Sequence, residues 1–169
     1  MASSPEQSTA TIRQVLRLAA GRQSLLVPID AVREILELGS LTQVPQAPAL
    51  LRGVMNLRGA VVPVIDLAAR CGLPPCQIGR RSAIVVVEVP GDEVQAQFVA
   101  GLLVDAVYEV IDAVVERIEP VPTLGVELPA AFLVGMLRLD SGYAAWLSLD
   151  QLLAPAQLSD LIGSASVAT

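Results

Sequence analysis

The chain repeats a short pattern of residues, and this repeat limits the folds it can adopt more than any other feature. Asp30-Ala-Val-Arg-Glu-Ile-Leu-Glu37 matches Asp105-Ala-Val-Tyr-Glu-Val-Ile-Asp112 at an offset of 75 residues, with four of eight positions identical. Gly53-Val-Met-Asn-Leu57 matches Gly135-Met-Leu-Arg-Leu139 at an offset of 82 residues. The alternative is coincidence between stretches rich in Val and Leu, but the ordered recurrence favours a duplicated unit.

The apolar segments are short, rich in β-branched residues and separated by turns, which is typical of strands. Residues 13–18 alternate polar with apolar side chains, and residues 21–23 predict a hairpin turn into a second strand at 24–29. Residues 82–89 and 94–104 predict another hairpin.

Helices are few and short in this interpretation. Asp66 predicts the N-cap of a helix over 66–71, and a C-terminal helix is expected to begin near Asp150. Pro63, inside the apolar stretch 60–65, predicts an edge strand because proline cannot donate to a β-ladder.

Two units this small rarely bury enough apolar surface alone, so we expect two small barrels that share a hydrophobic core. The cleft along their seam is the natural place for a partner. We expect one domain over residues 12–153, a flexible tail at 1–11, and a short helix with a loose tail at 154–169.

Composition excludes several kinds of chemistry. The chain has no histidine, which rules out catalytic triads, Cys-His dyads, histidine metal ligands and a histidine phosphorelay. Cys71 and Cys76 are separated by four residues that include two prolines, which suits neither a redox pair nor a zinc site. We therefore expect two reduced cysteines beside a turn, no metal and no cofactor.

Charge and hydropathy limit the partners. A net charge of −6 argues against nucleic acid and against docking on anionic lipid. The sequence shows neither a signal peptide nor an uncharged stretch of about 20 apolar residues. We expect a cytoplasmic protein without direct membrane insertion.

The densest motif runs from Arg52 to Leu67. Residues 56–59 form a polar island between two apolar strands, which predicts a tight turn with Arg58 at its tip. Gly59 can supply the positive φ that such a turn requires, and Gly53 predicts a bulge or a close backbone approach.

This segment resembles the CheW-like coupling proteins of bacterial chemotaxis, whose hallmark is a Gly-x-x-Asn-Leu-Arg-Gly turn followed by Pro-Val-x-Asp-Leu. The resemblance covers roughly residues 12–153. Further family elements occur in the expected order: Pro28, Val32-Arg-Glu34-Ile35, Val44-Pro45, Gly101-Leu-Leu-Val-Asp105-Ala-Val107 and Ile118-Glu-Pro120. The Cys71–Cys76 turn is not a family feature.

The resemblance implies a mainly β fold of two five-stranded SH3-like barrels around a shared core, and no catalytic activity. It implies an adaptor that couples the cytoplasmic tip of a transmembrane chemoreceptor to the regulatory domain of a CheA-type histidine kinase, recruited from the cytoplasm to receptor arrays. Flagellar, pilus-based twitching and surface-sensing pathways all use this module. A small barrel that binds nucleic acid, or an enzyme with a Cys71 thiolate, is the alternative from another class.

The resemblance also implies a receptor groove. Arg58 is the first candidate contact, and the alternative is that it only braces its lobe by pairing with Glu34. The remaining groove candidates are Gly53, Asn56, Gly59, Val32, Glu34, Ile35, Val104 and Val107. For the apolar members and Gly53 the alternative is ordinary core, and for Asn56 it is a turn role. Faces around 132–139 and 143–149 could dock the kinase, with Trp146 expected in the core.

Overall fold

The computed structural model describes residues 10–91, 96–122, 127–154 and 158. The strands are β1 (Ile12–Ala20), β2 (Gln23–Pro28), β3 (Val32–Glu37), β4 (Leu51–Leu57), β5 (Ala60–Asp66), β6 (Ala83–Pro90), β7 (Gln97–Val104), β8 (Ala106–Val114), β9 (Leu133–Leu139) and β10 (Gly142–Leu147). The helices are α1 (Leu67–Arg70) and α2 (Leu149–Leu152), with 3-10 turns at Ile29–Ala31, Val115–Arg117 and Ala130–Phe132.

The strands form two five-stranded sheets, which confirms the predicted mainly β fold with two lobes. Lobe 1 has the order β8-β1-β2-β10-β9, and lobe 2 has the order β3-β6-β7-β5-β4. The two orders become identical when β1–β5 are matched with β6–β10, so the sequence repeat is also a structural repeat. Each lobe combines two strands of one copy with three strands of the other. Lobe 2 is continuous in sequence and is inserted between β2 and β8.

Each sheet curls so that its two outer strands approach one another. The segment after β3 reaches the other edge of lobe 2, where the Thr42 N–H donates to Val54 O (2.9 Å) and the Val54 N–H donates to Thr42 O (2.8 Å). Glu119, which follows β8, makes the same pair of bonds with Met136 on β9. The matching bridges give both lobes the form of a small barrel.

The described residues bury three apolar clusters, because the central hairpins have two buried faces. In β6, Val85 and Val87 face the seam between the lobes, whereas Ile84 and Val86 face the inside of lobe 2. The β2 residues divide in the same way, and Leu26 packs inside lobe 1 with Trp146. This double burial explains why these strands are continuous apolar runs rather than alternating ones. Trp146 is a core residue, as predicted.

The edge-strand prediction for β5 is wrong. β5 lies between β7 and β4, and it is antiparallel to β4 and parallel to β7. Its pairing with β7 begins only at Val64, so Pro63 lies outside that ladder and its missing N–H costs no hydrogen bond there. The two predicted hairpins are present as β1–β2 and β6–β7.

Asp66 caps α1, as predicted, and also anchors the loop that follows. Its side chain is fully buried and accepts hydrogen bonds from Ala69 N (3.1 Å) and Cys76 N (2.9 Å). Arg52 donates to the same carboxylate (2.8 Å) and to Cys76 O (3.0 Å). α2 begins where the C-terminal helix was expected. Residues 1–9 and most of 154–169 lie outside the described residues.

Candidate partner-binding groove

The turn between β4 and β5 presents Arg58 to solvent, as the motif predicts. Arg58 and Gly59 both have positive φ, at 53° and 88°, and Leu57 pairs with Ala60 across the hairpin. These are the torsions of a two-residue turn that matches the twist of the strands. Asn56 stabilises the turn because its Oδ1 accepts a hydrogen bond from Gly59 N at 3.0 Å. The structure therefore gives Asn56 and Gly59 turn roles.

Arg58 forms an ion pair with Glu34 on β3. Its Nη1 lies 2.8 Å from Glu34 Oε2 and its Nη2 lies 3.4 Å from Oε1. Three strands lie between β3 and β4, so in a flat sheet these two strands would be roughly 19 Å apart. The ion pair is possible because the sheet curls. The Arg58 side chain is 76% exposed, so a guanidinium edge stays open to a partner.

Gly53 lies where the segment after β3 crosses β4. Its φ is +152°, and a Cβ at this position would lie 2.8 Å from Thr42 O. The β4–β5 register also shifts between Leu51 and Gly53. The predicted bulge and close approach are thus both present. Gly53 is buried and shapes the strand without contributing surface.

The apolar candidates separate into surface and core. Ile35 from β3 and Val107 from β8 line a cleft of about 460 Å³ between the lobes, and Ile35 is 45% exposed. Val32 is half-buried against the shared core, and Val104 is fully buried within it. The structure thus brings Ile35 and Val107 together at the seam, with Val32 and Val104 behind as support.

Glu34 and Ile35 connect the two groups of candidates. Glu34 pairs in register with Val86, whose side chain faces the inside of lobe 2, and Ile35 pairs with Val85, which faces the seam. Consecutive residues of one strand therefore face the ion pair with Arg58 and the apolar cleft. Arg58 and the cleft occupy adjoining surfaces of lobe 2.

Tyr108 is a cleft residue that the sequence analysis missed. It lines the cleft beside Val107, is 39% exposed, and stacks under the Arg17 guanidinium at 4.2 Å. Arg17 also donates to Glu109 at 2.9 and 3.2 Å. This hydrogen bond lowers the pKa of Glu109 and raises that of Arg17. The repeat contained a signal, because it aligns Tyr108 with the exposed Arg33.

The other predicted docking faces expose apolar side chains on lobe 1. Val134 on β9 is 56% exposed and Tyr143 on β10 is 46% exposed. The Tyr143 hydroxyl accepts hydrogen bonds from Arg138 at 2.7 and 3.2 Å. These side chains give lobe 1 an amphipathic outer surface.

Neither cysteine is placed for nucleophilic chemistry. Both thiols are free and buried, and burial raises the pKa of Cys71 to about 11. Burial and a hydrogen bond to Asp105 raise the pKa of Cys76 to about 12. Within the described ranges there is no cluster of acidic or cysteine side chains that could hold a metal ion. In the same part of the chain, helices are too short to cross a bilayer.

The comparisons with known proteins agree over most of the chain. Residues 14–157 match the profile of a family described as the CheW-like domain. A probable chemotaxis protein CheW from Rhizobium etli is 38% identical over 140 residues, covering 83% of this chain and 86% of that protein. Protein FrzA from Myxococcus xanthus is 33% identical over 125 residues, covering 74% of each. The crystal structure of scaffolding protein TtCheW from Thermoanaerobacter tengcongensis superposes with a TM-score of 0.73 at 31% identity, covering 85% of this chain and 88% of that one.

Proposed function

Because this chain belongs to the CheW-like family of chemotaxis scaffold proteins, we propose that it couples a transmembrane chemoreceptor to a CheA-type histidine kinase. Family membership makes it a non-catalytic adaptor. Its partners in this proposal are the cytoplasmic tip of the receptor and the regulatory domain of the kinase. It would work in the cytoplasm and be recruited to receptor arrays at the membrane.

The observation that carries the receptor contact is the position of Arg58. Its turn is fixed by Asn56 and Gly59, its guanidinium is held by Glu34, and most of the side chain remains exposed. A guanidinium offers several donors in a fixed plane, which suits carboxylates or carbonyls at the end of a helical turn. The cleft of Ile35, Val107 and Tyr108 supplies the apolar surface beside it. In this proposal a helical hairpin contacts the exposed Arg58 turn and, on the adjoining surface, the apolar cleft.

The kinase surface in this proposal is the outer face of lobe 1. Val134 and Tyr143 are exposed there on a β-hairpin. Docking between proteins of the same fold would cover such side chains at a scale of roughly 1,600 Å². The face is on a different lobe from Arg58, so the receptor and the kinase would be bound at separate sites.

A charge-swap experiment separates a contact role of Arg58 from bracing. Arg58→Glu should weaken binding to the receptor's cytoplasmic hairpin by about thirtyfold or more, which corresponds to about 2 kcal/mol, with an unchanged circular dichroism spectrum. In the double variant Arg58→Glu/Glu34→Arg the ion pair can re-form with exchanged partners. A contact role predicts that binding stays weak in this double variant.

The matched control is Arg33→Glu, which removes an exposed arginine from β3 without touching the turn. Arg33→Glu should bind within about twofold of the wild type, as exposed ion pairs contribute little. Affinity restored by the double swap would assign Arg58 to bracing alone. An Arg58→Glu protein that binds like the wild type would remove the receptor contact altogether.

The pathway is a choice between flagellar chemotaxis and pilus-based or surface-sensing signalling. Co-purification with the regulatory domain of each chemotaxis-type kinase in the source organism distinguishes them. We expect one kinase to be retained. If the chain bound none of them, the coupling function would be excluded.

A further inference from the structure

The Ile35–Val107 cleft continues into a larger cavity of about 790 Å³. The two cavities share Arg80, Arg81 and Ser82, so they form one trough along the junction of the lobes. The floor of the larger part is the β5–β6 loop, including Leu73, Pro74 and Pro75, and its far side is the β1–β2 turn with Gly21 and Arg22. We refer to this whole surface, from Arg22 to Tyr108, as the seam trough.

The trough collects arginines that lack carboxylate partners. Of the 11 arginines in the chain, five form ion pairs with Asp or Glu among the described residues. Arg22, Arg80 and Arg81 make neither an ion pair nor a side-chain hydrogen bond within that part of the chain, and all three line the trough. Three carboxylates, Glu37, Asp105 and Glu127, line the same trough, so the feature that favours negative charge is local: two adjacent arginines, Arg80 and Arg81, have no partner among the described residues.

The arginine pair is held in a fixed turn. Arg80 and Arg81 are the central residues between Gly79 and Ser82, where the Ser82 N–H donates to Gly79 O at 3.2 Å. The Gly79 N–H donates in return to Ser82 Oγ at 2.8 Å. Earlier in the loop, Cys76 is fastened to Asp66 and Arg52. Because the backbone is already ordered, pairing of the guanidinium groups costs side-chain rotamer freedom but little backbone entropy.

The surroundings favour a protein segment over a polyanion. These carboxylates, Glu37, Asp105 and Glu127, would repel a run of closely spaced phosphates. Asp105 accepts a hydrogen bond from the Cys76 thiol, and Glu127 accepts one from Gln23. The apolar floor suits side chains rather than lipid headgroups. A peptide with isolated carboxylates among apolar residues fits both the charge and the shape.

We propose that the seam trough extends the receptor groove, with Arg80 and Arg81 pairing with carboxylates on the receptor segment that lies beyond Ile35 and Val107. The inference rests on the proposed function, since that function identifies the partner. It adds a charge requirement: the receptor hairpin must carry acidic side chains next to its apolar contact surface. Arg22 faces the same cavity from the other lobe and contributes to the same field.

The test is binding of the receptor's cytoplasmic hairpin to Arg80→Glu/Arg81→Glu, measured at low and at physiological salt. We expect at least tenfold weaker binding at low salt and a smaller dependence of the affinity on salt. The matched control is Arg117→Glu, a surface arginine on another cavity, which should bind within twofold of the wild type. All of these residues are exposed, so circular dichroism spectra should coincide.

The outcomes separate this inference from the function on which it rests. If Arg58→Glu abolishes binding and Arg80→Glu/Arg81→Glu binds within twofold of the wild type, the trough proposal is overturned and the receptor function stands. If the wild type does not bind the hairpin, both are overturned. A further outcome is binding of a single-stranded oligonucleotide or of phosphatidylglycerol vesicles to the wild type and not to the arginine variant. The partner of the trough would then be a nucleic acid or a lipid surface, and the proposal would again be overturned.

Discussion

The neighbours of Arg58 hold it in the turn. They are needed because the turn requires a positive φ, which a non-glycine residue disfavours. A non-glycine residue at φ 53° costs roughly 1 kcal/mol, and the hydrogen bond from Gly59 N to Asn56 and the ion pair with Glu34 offset this cost. A glycine would relax the turn but would remove the guanidinium. The position of this arginine is therefore consistent with a requirement for its side chain on that turn.

The two cysteines lead to a pH prediction. An unfolded thiol has a pKa of about 8.5, and in the folded chain burial raises the pKa of Cys71 to about 11. Between these values the unfolded state releases a proton that the folded state retains, so the free energy of unfolding falls as pH rises. We expect a loss on the order of 2 kcal/mol between about pH 8.5 and 10.5 from Cys71.

Urea unfolding of the wild type and of Cys71→Ala across this pH range measures the effect. The variant removes the Cys71 thiol and leaves the second buried thiol, Cys76, unchanged. Its stability should therefore decline less steeply with pH. Parallel profiles for the two proteins would show that the Cys71 pKa is not raised by folding.

Strands β4 and β9 each contain a glycine, Gly53 and Gly135, at positions that the sequence repeat matches. Each carries a glycine where the segment following the outer strand crosses over: Gly53 under Thr42, and Gly135 under Ile118 and Glu119. In both places a Cβ would collide with backbone or with a core side chain. The glycines thus permit the bridges that close the two sheets.

Replacing these glycines should destabilise the fold. A Cβ would lie 2.8 Å from Thr42 O in Gly53→Ala and 2.6 Å from Glu119 O in Gly135→Ala. Overpacking against backbone, with positive φ added at Gly53, should cost about 2 kcal/mol or more in each variant. Gly39→Ala meets no atom within 4 Å and should change stability by less than about 0.5 kcal/mol. Equal urea midpoints for all three variants would contradict the closure role.

Local features of these elements were predictable because they depend on neighbouring residues. The Arg58 turn, the Asp66 cap and the Gly53 bulge each follow from a few adjacent side chains. The internal position of β5 was not predictable, since a proline inside a strand indicates an edge. Pro63 is tolerated inside the sheet because the pairing of β5 with β7 begins only at Val64. The arginine pair at 80–81 was visible in the sequence, but its place in the trough depends on packing between the lobes.

At the scale of the whole molecule, neither sequence repeat is a structural unit by itself. The matched segments showed that the copies are equivalent, but similarity between copies carries no information on which strands pair. In the structure, β1 and β2 join β8–β10, and β3–β5 join β6 and β7. The seam cluster takes side chains from both lobes, so each lobe depends on the other for burial.

This exchange predicts how the chain responds to cleavage. Residues 1–77 contain two strands of lobe 1 and three of lobe 2, and residues 78–169 contain the complement. Each fragment alone should be unfolded by circular dichroism, because neither holds a complete sheet. Mixed in equal amounts, the fragments should recover the β spectrum and a cooperative unfolding transition. Cooperative unfolding of either fragment alone would show that one copy is an independent folding unit.

The exchange of strands between the two copies makes the two ends of the molecule different from each other. A single copy could complete its sheets only with a second identical chain, and the resulting intertwined dimer would have two indistinguishable ends. Joining the copies in one chain removes this equivalence. The two-residue turn of β4–β5 carries Arg58, and the equivalent turn of β9–β10 carries Asp140, so the corresponding positions now have opposite charges. A single chain is therefore a polar building block, and an assembly made from it can have a front and a back.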